Sequence, residues 1–117
     1  MIIAHRGLYK DNSNDGILQA LSKGYGVEFD IRDGHSEVYV EHDPMQRYHT
    51  TLLFHLLTNI ASAGLTKHGP LAIDVKATGL GEHLRRYFDA FPWLWDNGTF
   101  FFDLAGPDHV DYLNRGL

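Results

Sequence analysis

Residues 26–43, GVEFDIRDGHSEVYVEHD, constrain the fold more than any other stretch of the chain. VEFDI and EVYVEH both alternate apolar and polar positions, and Asp33-Gly34 between them is a turn signal, so the stretch reads as a β-hairpin. With the turn centred near His35, Glu28 lies opposite His42 and Asp30 opposite Val40. Strand side chains repeat with a period of two, which places Glu28, Asp30 and the cross-strand partner of Glu28 on one face. Two carboxylates and an imidazole then crowd one patch. A half-exposed sheet gives the same alternation for solvation alone, so the reading depends on what else the chain brings there.

The N-terminus brings a second imidazole. Ile2-Ile3-Ala4 is a short apolar run ending in His5-Arg6-Gly7. A buried strand with that ending delivers an acid/base group and a fixed cation to the carboxyl edge of a sheet, where α/β proteins keep their chemistry. Taken in order, His5-Arg6-Gly7, Glu28-x-Asp30, Asp33-Gly34 and His42-Asp43 resemble the glycerophosphodiester phosphodiesterase family, phospholipase-C-like enzymes built on a TIM barrel. That family carries Glu-Asn-Thr after its first strand, where Asp11-Asn12-Ser13 stands here. It also carries a later Glu-x-Lys on a strand, where this chain reads Asp74-Val75-Lys76.

Bulk properties set the frame. The 117 residues read as one domain, 1–117, well short of the ~250 residues of a complete TIM barrel. A hydrophobic content of 44% and a charged content of 21% fit a globular chain. The net charge of -5 argues against broad nucleic-acid binding while leaving room for a local cationic site. No cysteine is present, so disulfides and thiolate metal sites are excluded. The N-terminal apolar run is too short for a signal peptide or a membrane span, and the chain is read as cytoplasmic with no integral membrane segment.

Past the first strand, Leu8 to Asn14 is a polar loop offering a helix cap, and Ile17, Leu18 and Leu21 recur at helical spacing before Gly24. Asn12 is a candidate both for capping and for touching a phosphate oxygen. Residues 44–50 read as a loop, with Thr50 or Thr51 capping a helix that carries Leu52, Leu53, Leu56, Leu57 and Ile60 and ends near Gly64. His49 and His55 are read as surface or capping residues. Leu71 to Ala77 is apolar apart from Asp74 and Lys76, as expected of a parallel strand buried on both sides, and those two point the same way. Leu84, Tyr87 and Phe88 mark another helix, and Pro92 to Trp95 a hydrophobic link. Thr99 to Phe102 reads as a buried strand ending at Asp103, followed by a helix with Val110 and Leu113 on its apolar side.

These elements amount to four βα units, with strands near 2–5, 26–31, 71–76 and 99–104 and the hairpin as an extension after the second. The fold expected is α/β, about half of a TIM barrel and its N-terminal part only. Three arrangements are open to it: a homo-oligomer closing the barrel, an open sheet with covered edges, or a fragment of a longer enzyme. Apolar parallel edges favour the oligomer.

Phosphodiester hydrolysis needs charge neutralisation at phosphoryl oxygens, an activated nucleophile and a proton for the leaving alkoxide. Glu28, Asp30 and Asp74 offer an all-oxygen site for Mg²⁺ or Ca²⁺. Arg6 and Lys76 are placed to grip phosphate oxygens, and His5 and His42 to share acid and base work, in the roles the resemblance implies. Asp43 orients His42 or closes the turn, and Asp103 stands near the mouth of the site. The expected substrate is a glycerophosphodiester or another small phosphodiester. The alternative is a catalytically silent half barrel that binds an anion or serves assembly.

Overall fold

The computed structural model describes residues 2–34, 36–43, 51–67 and 69–117. The turn centre at His35, the loop over 44–50, the capping role of Thr50 and the placement of His49 lie outside the described residues. No helix among those described is long and apolar enough to cross a membrane.

The chain forms a mixed α/β structure with a six-stranded sheet and five helices. In order these are β1 (Ile3–His5), α1 (Asn14–Ser22), β2 (Gly26–Gly34), β3 (Glu37–Val40), β4 (Thr51–Leu52), α2 (Leu53–Ser62), β5 (Leu71–Val75), α3 (Gly81–Ala90), α4 (Trp93–Asp96), β6 (Phe100–Phe102) and α5 (Gly106–Asn114). β2 is the hub. Along one edge it pairs with β1 in parallel through Gly26 to Glu28, then with β3 antiparallel from Ile31 onward. Along its other edge runs β5, parallel, followed by β6, also parallel. β4 extends the hairpin beyond β3.

Neighbouring strands in register share a face at each paired position, so the sheet has two distinct sides. Ala4, Val27, Phe29, Ile31, Ile73 and Val75 turn to the helices and join Ile17, Leu21, Leu56, Leu57, Ile60, Leu84 and Phe88 in the core. Ile3, His5, Glu28, Asp30, Ala72, Asp74, Phe100 and Phe102 turn the other way. That second side is acidic toward the carboxyl ends and apolar below. Ile3, Phe100 and Phe102 stand 45%, 46% and 38% exposed on it.

Several local expectations are corrected. The hairpin closes with Gly34 opposite Glu37, which pairs Val40 with Ile31 and sets the Glu41 N–H on Asp30 O. This register is one residue away from the expected one, because β2 keeps pairing through Gly34. In an antiparallel pair a one-residue slip changes which side chains face each other, so Glu41, not Val40, lies across from Asp30. Thr51 lies in β4, and Leu52 precedes α2 without a side-chain cap. The link from Pro92 contains the short helix α4. β6 is half-exposed rather than buried, since it is the edge strand of the parallel array. On α5, Val110 and Leu113 are exposed while Asp108 and Tyr112 are buried. That helix docks through the Asp108 carboxylate, which accepts from Gly79 N–H at 3.1 Å.

The loop from β1 to α1 is built on strained backbone. Arg6, Tyr9 and Asn12 adopt left-handed conformations at φ 57°, 68° and 54°, which cost a residue with a Cβ about 1–2 kcal/mol. The loop is held by Asn12 N–H on Arg6 O at 2.8 Å and Leu8 N–H on Gly16 O at 3.0 Å. Ser13 caps α1, its hydroxyl oxygen accepting from Gly16 N–H at 3.0 Å. A Cβ at Gly16 would stand inside van der Waals contact with Leu8 O. Replacing a helical glycine by alanine normally stabilises by about 0.5–1 kcal/mol. Gly16→Ala is expected to reverse that sign and cost roughly 1–3 kcal/mol in urea unfolding, because the loop must move away from the helix.

Candidate functional site

Parallel pairing decides where the acidic residues go. β2 and β5 are aligned so that Asp30 faces Asp74, and β1 is aligned so that His5 faces Glu28. All four side chains therefore leave the sheet on the same side, at or near the carboxyl ends of three adjacent strands. One carboxylate oxygen each from Glu28, Asp30 and Asp74 lie within 4.8 Å of one another. Asp30 is fully buried and Asp74 nearly so.

Each acid has its own support. Asp30 is clamped by Asn12, whose Nδ2 donates to Oδ2 at 2.9 Å while its Oδ1 accepts the Asp30 N–H at 3.0 Å. Arg6 Nε stands 3.0 Å from the same Oδ2, and its Nη1 lies 3.7 Å from Asp11. Asp74 receives Lys76 Nζ at 2.9 Å, and that ammonium also reaches Asp103 at 3.1 Å. Glu28 has His5, whose Nε2 lies 3.4 Å from Oε2 on a ring that is 74% exposed, and a backbone hydrogen bond from Arg6 that favours its ionised form.

The supports do not balance the acids. Glu28 Oε2 and Asp74 Oδ1 are buried and accept no hydrogen bond. Burial raises the Glu28 pKa above its ordinary value, and the neighbouring Asp30 charge adds to the shift while His5 opposes it. Burial also raises Asp74, with the Lys76 hydrogen bond opposing and Asp30 reinforcing. Lys76 is pushed up, chiefly by its hydrogen bond to Asp74, and it pulls exposed Asp103 down.

The structure thus brings together His5, Arg6, Glu28, Asp30, Asp74 and Lys76. His42 stands apart from this set in its contacts. It follows the end of β3, its Nδ1 lies 2.8 Å from Asp43 Oδ1, and its N–H donates to Glu41 Oε1 at 2.9 Å. Among the described residues it shares no hydrogen bond or ion pair with the three acids. His55 is exposed on α2. Asn12 neither caps α1 nor stands free for a ligand, since both ends of its amide are used on Asp30. Its partner is 18 residues away, and only the left-handed turn of the loop brings the two together.

Fold and site define a mixed α/β protein whose sheet carries an acidic cluster at the carboxyl ends of its parallel strands. In fold it is similar to the crystal structure of a glycerophosphodiester phosphodiesterase from Parabacteroides distasonis, with a TM-score of 0.72, 20% sequence identity and 97% of this chain covered. The match covers 60% of that protein, so this chain spans less than two thirds of its length. No protein-family model and no curated protein sequence matches the chain.

The raised acids give a pH signature. A carboxyl group whose folded pKa exceeds its unfolded one binds its proton more tightly when folded; the stability this contributes is complete below the unfolded value and is lost as pH rises through the folded pKa. Ionised Glu28 therefore weighs against folding at neutral pH. In chelator at pH 7, Glu28→Gln is expected to melt a few degrees above the unsubstituted protein, and calorimetry should find the gap closing as pH falls toward the ordinary value of 4.5.

Proposed function

We propose that this chain is the first half of a TIM-barrel-type phosphodiesterase, a divalent-metal-dependent hydrolase of glycerophosphodiesters or similar small phosphodiesters. The observation that carries the reading is the convergence of Glu28, Asp30 and Asp74 with His5 at one end of the parallel strands. The fold likeness to a phosphodiesterase supports it at the level of architecture.

The donor set suits a hard cation. Two buried carboxylate oxygens, Glu28 Oε2 and Asp74 Oδ1, lack donors. The three acids fall within the span that oxygens about 2.4 Å from one Ca²⁺ reach across it, and Mg²⁺ takes the same donor chemistry. Glu28, Asp30 and Asp74 would hold the ion, which supplies positive charge opposite the phosphoryl oxygens. Asn12 fixes the rotation of the Asp30 carboxylate, so one ligand is set before anything binds. Lys76 orients Asp74 and, with Arg6, adds positive charge at the edge of the site. His5 Nε2 is exposed beside Glu28 and takes or returns a proton at the substrate, an imidazole being able to do either near neutrality. His42, oriented by Asp43, is the second proton carrier of this reading.

A second reading has a specific observation behind it. The inner side of the sheet exposes Ile3 at one edge and Phe100 and Phe102 at the other, which suits an anion-binding half barrel or fragment that needs a complement. A second copy of the chain, joining β6 of one protomer to β1 of its partner, would close an eight-stranded ring.

Two measurements separate these readings. Millimolar Mg²⁺ or Ca²⁺ should raise the melting temperature, and a p-nitrophenyl phosphodiester should be cleaved, with His5→Ala lowering kcat/KM by about 10²–10⁴-fold at unchanged fold. Folded protein that binds metal but cleaves no diester would leave the silent module in front. Light scattering should give twice the chain mass, and Phe100→Lys should return it to the monomer mass; a monomeric unsubstituted protein rejects the closed ring.

A further inference from the structure

Charge accounting at the carboxyl edge singles out Arg32, a residue the sequence motifs pass over. Arg6 is matched to Asp30, and Lys76 to both Asp74 and Asp103. The two cations expected to grip phosphate are therefore already balanced by carboxylates. Arg32 follows Asp30 by two positions on β2 and leaves the strand on the same side. It has no carboxylate partner among the described residues. One terminal nitrogen donates to Lys76 O, while its buried Nε has no acceptor.

Arg32 also faces space. With Asp33, Lys76, Thr78 and Asp103 it lines a cavity of about 530 Å³ at the rim of β2, β5 and β6. Lys76 belongs both to this cavity and to the acid cluster, so the cavity opens beside Asp74. A guanidinium offers five donors in a planar fork that matches two oxygens of one phosphoryl group. Here one terminal donor is anchored on the backbone, which fixes the plane of the fork at the cavity wall.

We propose that Arg32 is the phosphoryl-binding residue of this edge, taking two oxygens of a phosphodiester or phosphate monoanion in the cavity beside Asp74. The proposal rests on the phosphodiesterase reading for the class of ligand. The demand for an acceptor at Arg32 comes from the geometry alone.

The test is a calorimetric titration of inorganic phosphate into the unsubstituted protein, Arg32→Gln and Arg32→Lys, all in the same Mg²⁺ concentration, with circular dichroism to establish the fold. Arg32→Gln is expected to weaken phosphate binding at least about tenfold, the scale of a lost charge-assisted pair. Arg32→Lys should recover only part, because a point charge lacks the fork. The Mg²⁺-induced melting shift should be the same in all three. Unaltered phosphate binding in Arg32→Gln overturns the proposal, as does absence of phosphate binding by the unsubstituted protein. Should Arg32→Gln fail to fold, unaltered binding in Arg32→Lys overturns it equally. Phosphate binding that depends on Arg32 in a protein that cleaves no diester keeps this inference and removes the enzyme; diester cleavage with KM unmoved in Arg32→Gln does the reverse.

Discussion

Asp30 and Asp74 face each other across two adjacent parallel strands, and the rest of the site is arranged around the cost of that pairing. Like charges withdrawn from water repel strongly. Neither acid can turn away, because strand alternation puts both on the same side and the register puts them at the same height. The supports come from separate parts of the chain: Asn12 and Arg6 from the loop after β1, Lys76 from just beyond β5, Asp103 from just beyond β6. One repulsive pair thereby gives three loops a common point of attachment. It also accounts for the backbone after β1, since Arg6 and Asn12 reach Asp30 only by way of left-handed residues that the chain would otherwise avoid.

The sheet divides its labour between its sides. The helix side is closed by a continuous apolar core that includes Phe29, Ile31 and Ile73, each fully buried or nearly so. The other side holds the acids at the carboxyl end and apolar residues below them, and those are still wet. Fully burying a side chain of the size of Ile or Phe is worth about 1.5–3 kcal/mol. Ile3, Phe100 and Phe102 are each already more than half buried, so covering what remains would yield roughly 2–4 kcal/mol in total, a sizeable part of the stability of a small domain. These apolar residues share their side of the sheet with the acids, so a complement that covered them would also lie opposite the acid cluster.

How much of this was legible in the sequence depends on the range of the interaction. Period-two alternation was enough to put Glu28 with Asp30 and Asp74 with Lys76, because it is a property of each strand alone. The meeting of Asp30 with Asp74 needed the parallel register, which the resemblance implied and local pattern could not. The hairpin failed by one residue, since Asp33-Gly34 reads as the turn whereas β2 continues pairing through Gly34. That slip is what had set His42 opposite Glu28. On α5 the apolar stripe of Val110 and Leu113 pointed to a buried face, but Asp108 decided the docking through a backbone N–H 29 residues away. Asn12 reads locally as a cap or a ligand contact, and no local signal distinguishes those roles from a clamp on a distant strand.

The positive charge at the edge is divided by the same logic. Three carboxylates and Asp103 draw on Arg6 and Lys76, so the cluster keeps an excess of negative charge and repels a phosphate that approaches it directly. A cation bound among the acids would relieve that excess without freeing either basic side chain, because each is held at a carboxylate by hydrogen-bond-length contact. On the proposed reading, recognition of an anion would fall to a positive group outside this balance. Arg32 meets that condition on the strand that also supplies Glu28 and Asp30, so the distance from anion to acids is set by strand geometry: two residues of a strand rise about 6.6 Å. On the proposed reading, the position of one residue on β2 would separate holding a cation from gripping an anion.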